Sequence, residues 1–169
     1  KFEIHEARSY RETAEAIRNM TVRGAGAIGA TGALGVAQAA LEAQTGDLKE
    51  FLSYVENAAA ALKGTRPTAV NLFHAIDRCL SAIREGDTVD ECRKLAVKEA
   101  QRIAEEDVEA SRRIGEYGKD LIKDGFGILT HCNAGALAFI DYGTALSPIR
   151  LAHYEGKDIF VFVDETRPM

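Results

Sequence analysis

Arg23-Gly24-Ala25-Gly26-Ala27-Ile28-Gly29 is the stretch on which the reading of the fold turns. Residues 24–29 match G-x-G-x-x-G, the string of a dinucleotide-binding turn. That fingerprint needs a strand before its first glycine and an acidic residue about twenty positions later, on the next strand. Here Ser9 stands three residues before Glu12 in a capping-box pattern, so a helix leads into the turn. The residues beyond Gly29 stay alanine-rich through Leu41, so a helix leads out of it. The dinucleotide reading is therefore rejected. What remains is a glycine-rich turn opening a helix, whose N–H groups and positive dipole end point at one place suited to a phosphate. Arg23, immediately before the turn, offers phosphate oxygens a forked and permanently charged contact. Gly29, Gly32 and Gly35 read as positions that let a small-residue helix pack closely in the core.

Outward from this turn the helical pattern continues. Asp47 with Glu50 and Thr88 with Glu91 repeat the start signal of Ser9 and Glu12. Apolar residues follow at helical spacing, first Phe51, Val55, Ala59 and Leu62, then Phe73, Ile76, Leu80 and Ile83 after Pro67. From Cys92 to about Lys123 the stripe runs Ala96, Ala100, Ile103, Ala110, Ile114, Tyr117 and Leu121, which predicts one long helix leading into a second domain. Asp107 interrupts that stripe and reads first as a charge at its edge, with catalysis as the alternative. Ahead of Ser9, Phe2 and Ile4 alternate with polar neighbours, as in a short strand.

After Gly125 the period changes. Phe126-Gly127-Ile128-Leu129-Thr130, a small-residue loop, a helical stretch to about Tyr154, and Ile159-Phe160-Val161-Phe162-Val163 make one parallel strand–helix–strand crossover. The expected fold is α/β overall: a mainly helical domain over residues 1–123, then the beginning of a Rossmann-like parallel-sheet domain over 124–169. Parallel sheets are normally buried on both faces, so more strands and helices are expected after Met169 or from a partner chain. Lys1 in place of an initiating Met, with the abrupt end at Met169, reads as a portion of a longer protein.

Composition narrows the function classes. Of 169 residues 46% are hydrophobic and 28% charged, which suits a folded globular protein rather than a disordered one. A net charge of -5 argues against nucleic acid as a direct partner, since that affinity rests on clustered Lys and Arg. The three cysteines, Cys79, Cys92 and Cys132, form no CxxC pair, so no zinc site or redox motif is expected, and a reducing cytoplasm is the natural setting. No apolar run approaches a membrane span, and no signal-peptide pattern opens the chain, so no membrane partner is expected.

Beyond the glycine-rich turn, two places draw chemistry. In Gly64-Thr65-Arg66-Pro67-Thr68, Pro67 ends one geometry and Thr68 is expected to cap the next helix, which puts Arg66 on a turn at a helix start, a second arginine placed for anions. Asn71 and His74 on that helix suit a hydrogen-bonded core role at least as well as a ligand role, and neither is assigned. Cys132, in His131-Cys132-Asn133-Ala134-Gly135-Ala136, follows the first parallel strand, where α/β folds bind ligands. Small neighbours allow close substrate approach, and a helix start nearby would favour a thiolate or a developing negative charge. His131 is a poor base for Cys132, because adjacent strand residues point to opposite faces unless the backbone turns. Cys79 and Cys92, on helical stretches, read as small buried hydrophobes.

These segments together resemble the methylthioribose-1-phosphate isomerase family, with its relatives among initiation factor 2B regulatory subunits and ribose-1,5-bisphosphate isomerases. The resemblance is carried by Val22 to Gly29, by Arg66-Pro67-Thr68-Ala69-Val70-Asn71-Leu72-Phe73, by Thr130 to Ala138, and by Asp164-Glu165-Thr166-Arg167-Pro168. It implies a helical N-terminal domain followed by a Rossmann-like one, with the active site in the cleft between them. It implies that Arg23, Gly24, Ala25 and Arg66 bind a phosphorylated pentose and that Cys132 assists catalysis. The implied reaction converts an aldose 1-phosphate to the ketose 1-phosphate, in methionine salvage, with no added cofactor and no metal, in a homo-oligomer, a dimer by resemblance. A non-catalytic regulatory subunit that binds a sugar phosphate or nucleotide is the alternative. Gly26 stands where the isomerases usually have proline and His74 where they often have tryptophan, which bears on pocket shape. The resemblance also implies a glutamine and a catalytic aspartate beyond Met169, so residues 1–169 alone are expected to be inactive.

Overall fold

The computed structural model describes residues 3–164. In chain order its helices are α1 Tyr10–Arg18, α2 Ala25–Glu42, α3 Leu48–Lys63, α4 Val70–Ile83, α5 Val89–Gly118 and α6 Leu146–Tyr154, with strands β1 Gly127–Thr130 before α6 and β2 Phe160–Val163 after it. The chain divides into two compact units, residues 1–104 and 105–169, so the division by packing falls inside α5, earlier than the change from helix to strand.

The three capped starts form as their sequences dictate. Ser9 Oγ accepts the Glu12 N–H at 3.2 Å, and the Glu12 carboxylate takes the Arg8 N–H at 2.7 Å. Asp47 accepts the Glu50 N–H at 2.8 Å. At the head of α5 the exchange is reciprocal: the Glu91 N–H donates to Thr88 Oγ1 and the Thr88 N–H to the Glu91 carboxylate, both at 3.2 Å. Each exchange satisfies donors that a first helical turn leaves orphaned, contributing about 1 kcal/mol. Thr68 does not cap α4. Residues 66–69 close into a turn in which the Ala69 N–H donates to the Arg66 carbonyl at 3.0 Å, which moves the start to Ala69, a residue without a capping side chain. The strand expected around Phe2 and Ile4 is not formed over the residues described: 3–8 are irregular, and Phe2 lies outside the described residues.

In the first unit α2 is the central element. Its apolar and small residues occur on every side, and most of the helix is buried, with Leu34 and Leu41 exposed along one narrow stripe. A Cβ on Gly32 would fall 2.4 Å from Leu72 Cδ1, and one on Gly35 would meet Leu62 at 3.0 Å and Thr13 at 3.1 Å. The missing side chains are thus what lets α1, α3 and α4 approach. Phe51, Val55, Leu62, Leu72, Ile76 and Ile83 are wholly buried around it. Each contributes about 1.5–3 kcal/mol relative to exposure. The start of α5 closes this core with Cys92, Ala96 and Ala100, while the Arg93 guanidinium donates to the carbonyls of Ala43 at 2.7 Å and Ala40 at 3.3 Å, satisfying the open end of α2.

In the second unit β1 and β2 are parallel, in register from Gly127 opposite Phe160 to Thr130 opposite Val163. The two are joined through α6, the crossover the sequence predicts. α5 stops at Gly118, short of the expected Lys123, and the stripe expected along its end and the turn after it is not buried as predicted: Ile114, Tyr117 and Leu121 are 42%, 73% and 78% exposed. Ser111 and Gly115 face inward instead, and a Cβ on Gly115 would stand 2.3 Å from Ser147 Oγ of α6. Small residues make this contact, so hydrophobicity did not mark it. Leu129, Phe160, Phe162 and Val163 remain exposed on the sheet. Among the described residues no helix is long and apolar enough to cross a membrane.

Candidate functional site

The residues singled out for anion binding all lie in the first unit. Gly24 ends the turn as the N-cap of α2 with φ 93°, a left-handed value that a residue bearing a Cβ adopts only at a cost, and no side chain caps it. The first intrahelical bond of α2 is the Ile28 N–H to the Gly24 carbonyl at 2.9 Å, so the N–H groups of Ala25, Gly26 and Ala27 have no partner within the helix. The start of α4 is likewise without a side-chain cap. A Cβ on Gly29 would meet the Asn71 carbonyl at 3.2 Å, one on Gly32 would meet Leu72 and Ile76, and the Cys79 thiol lies 3.9 Å from the Ala33 carbonyl. Contacts that advance along both helices together mean that α2 and α4 run side by side in the same direction. Their positive ends therefore lie at the same end of the bundle.

Arg66 occupies the turn leading into α4 and is half-buried, and Arg23 is exposed at the turn leading into α2. Arg66 Nη1 is buried without a hydrogen-bond partner among the described residues. A buried guanidinium N–H left unsatisfied is uncommon, and a phosphate oxygen is its natural partner. His74 lies elsewhere, lining a cleft of about 460 Å³ with Asp77, Arg78, Glu99 and Arg102. Asn71 is exposed at the first turn of α4.

Cys132 belongs to the second unit. It is exposed, whereas Cys79 and Cys92 are buried. Its φ of 65° is left-handed, so the backbone does turn directly after β1. The helix expected close behind Cys132 is a single 3-10 turn, Ala136–Ala138, and α6 begins only at Leu146. Gly135 and Gly143 pair as an isolated antiparallel bridge that closes a loop around this turn. His131 is tied to the end of β2: its Nδ1 lies 2.8 Å from Asp164 Oδ2, the ring N–H donating to the carboxylate. The Asp164 N–H donates in turn to the Thr130 carbonyl at 3.3 Å. Sequence reasoning quoted Asp164 without a role. The parallel register could have found it, since the residues following paired strands are neighbours. Glu165 to Pro168 lie outside the described residues.

Asp107, half-buried on α5, accepts the Ile140 N–H at 3.1 Å, which is an anchoring role for the loop ahead of α6. Behind that loop a cleft of about 460 Å³ is lined by Leu146, Ile149, Arg150, Ile159 and Val161, among others, with the Arg150 guanidinium 4.3 Å from the Tyr142 ring centre.

Residues 21–169 match the Initiation factor 2 subunit family. The chain belongs to that family. Within it, the chain is 53% identical over 167 residues to the methylthioribose-1-phosphate isomerase of Acetivibrio thermocellus, covering 98% of this chain and 49% of that protein. The crystal structure of the 5-methylthioribose 1-phosphate isomerase from Pyrococcus horikoshii superposes with a TM-score of 0.92 at 46% identity, covering 99% of this chain and 48% of that one. A structure from Archaeoglobus fulgidus, described as the delta subunit of translation initiation factor eIF-2B, superposes at 0.88 with 49% identity, covering 99% of this chain and 49% of that one. The chain spans about half the length of the curated relatives it matches. The family thus holds both the isomerase and the regulatory-subunit alternatives raised by the sequence.

Proposed function

We propose that the protein to which this chain belongs is an aldose–ketose isomerase that converts methylthioribose 1-phosphate, or a similar 5-modified pentose 1-phosphate, to the ketose 1-phosphate in methionine salvage. The observation that carries this reading is the 53% identity, across nearly the whole chain, to a protein named for that reaction. The local chemistry is consistent with it. Arg23, Arg66 and the backbone of Gly24 and Ala25 hold the 1-phosphate, using two helix starts and a guanidinium nitrogen that has no hydrogen-bond partner among the described residues. Cys132 assists the transfer between C1 and C2. A phosphate on C1 removes the free anomeric hydroxyl through which a sugar ordinarily opens, so the proton or hydride must move in a pocket that excludes water. The enzyme needs no added cofactor, and it works in the cytoplasm as a homodimer.

The second reading is a regulatory subunit resembling those of initiation factor 2B, which binds a sugar phosphate or nucleotide without turning it over. The 49% identity to the Archaeoglobus structure of that description is what favours it. Incubating the complete natural protein with methylthioribose 1-phosphate and following the ketose product separates the two. Turnover establishes the isomerase, and tight binding without product establishes the regulatory subunit.

A further inference from the structure

We propose that His131 and Asp164 form a positioning pair that fixes the backbone on which Cys132 is presented. The inference rests on the reading of Cys132 as a group that assists catalysis. The pair sits just past the carboxyl ends of both strands, where Nδ1 and Oδ2 are 2.8 Å apart and the Asp164 N–H also reaches the Thr130 carbonyl. On the far side of Cys132, the Thr144 N–H donates to the Ala134 carbonyl at 2.9 Å, and Gly135 pairs with Gly143. Only Cys132 and Asn133 lie between these anchors. A non-glycine residue at φ 65° costs about 1–2 kcal/mol and persists only when its surroundings over-determine it. The side-chain bridge at His131 is the anchor on the strand side. The bridge spends Nδ1 on the carboxylate and is read as acting through Cys132; proton transfer by the other ring nitrogen, Nε2, is the competing outcome of the test.

The test uses His131→Ala, Asp164→Ala, the double variant and His131→Asn in the complete natural protein; the Asn amide can replace the Nδ1–H donor. Displacing a reacting group by about 1 Å costs up to about a hundredfold. Each alanine variant is expected to lose about 10- to 100-fold in kcat with KM nearly unchanged. The double variant should lose no more than the worse single one, as for residues acting as a unit. His131→Asn should stay within about threefold of the parent. Amide exchange at positions 144 and 164, read without substrate, should quicken about tenfold in the alanine variants and not in His131→Asn, so this arm decides even if the isomerase reading fails. Parent-like exchange in His131→Ala, additive losses in the double variant, or a His131→Asn as impaired as His131→Ala would overturn the proposal, the last by showing that the ring itself moves a proton.

Discussion

Replacing Gly143 with alanine should open the loop that carries Cys132, and the structure sets the size of the effect. Gly143 has φ 80°, and a Cβ there would stand 2.4 Å from the carbonyl carbon of Gly135 and 2.5 Å from the Ala134 oxygen. Both are backbone atoms, so no side chain can swing aside. The left-handed backbone costs an L-residue about 1–2 kcal/mol. Overpacking against a fixed neighbour adds about 1–3 kcal/mol. The sum, about 2–5 kcal/mol, falls on the Gly135–Gly143 bridge and the bond from the Thr144 N–H to the Ala134 carbonyl. Even its lower end corresponds to roughly a thirtyfold rise in the open population. Hydrogen exchange at the Thr144 amide reads that directly. Gly156→Ala is the control: its φ of 86° imposes the same backbone cost, with nothing within 4 Å of the new Cβ, so it should lose only about 1–2 kcal/mol. Equal exchange and equal stability in the two variants would refute the claim that close backbone approach holds this loop.

Further outcomes follow from the helical unit. Arg66→Ala and Arg23→Ala should each weaken binding of substrate or inorganic phosphate by about 2–5 kcal/mol, measured by titration of the complete protein. Arg66→Lys should recover only part of this, because an ammonium cannot reproduce the fork. Unchanged affinity in both alanine variants would place the anion elsewhere. Burial pushes the Cys79 thiol from 9.0 up to about 12, with Glu99 adding to the shift and Arg78 opposing it. The folded state then keeps a proton that the unfolded chain releases, so this contribution to stability is intact below about pH 9 and lost as pH rises toward 12. Denaturant midpoints across that range should fall less steeply for Cys79→Ala than for the parent, and parallel curves would contradict the assignment.

What the sequence made legible was local. Ser9, Asp47 and Thr88 bond to backbone three residues away, so their helices could be read from spacing alone. The rejection of a nucleotide-binding turn at Gly24 needed only the helix before it and the helix after it. The reading failed where a partner distant in sequence decides the outcome. Ile114 and Leu121 looked like core positions, yet the contact that packs this part of α5 is made by Gly115 against Ser147, more than thirty residues on. The small-residue segment after Cys132 was legible as a loop, but the pairing of Gly135 with Gly143 inside it was not, since that partner lies eight residues on. Strand alternation says nothing of His131 and Cys132 once the backbone turns left-handed at Cys132, and the bond of His131 to Asp164 required the register of two strands. Thr68 missed the cap by one residue because the turn around Pro67 closes on Ala69.

The most direct test of the central claim is turnover of methylthioribose 1-phosphate by the complete natural protein and by its Cys132→Ser variant, each checked for intact fold. The account predicts ketose 1-phosphate from the parent and a loss of about a hundredfold or more in kcat for the variant, the scale on which groups acting directly in the reaction contribute. Near-normal turnover in Cys132→Ser would contradict the assignment of Cys132, and no product from the parent would contradict the isomerase itself.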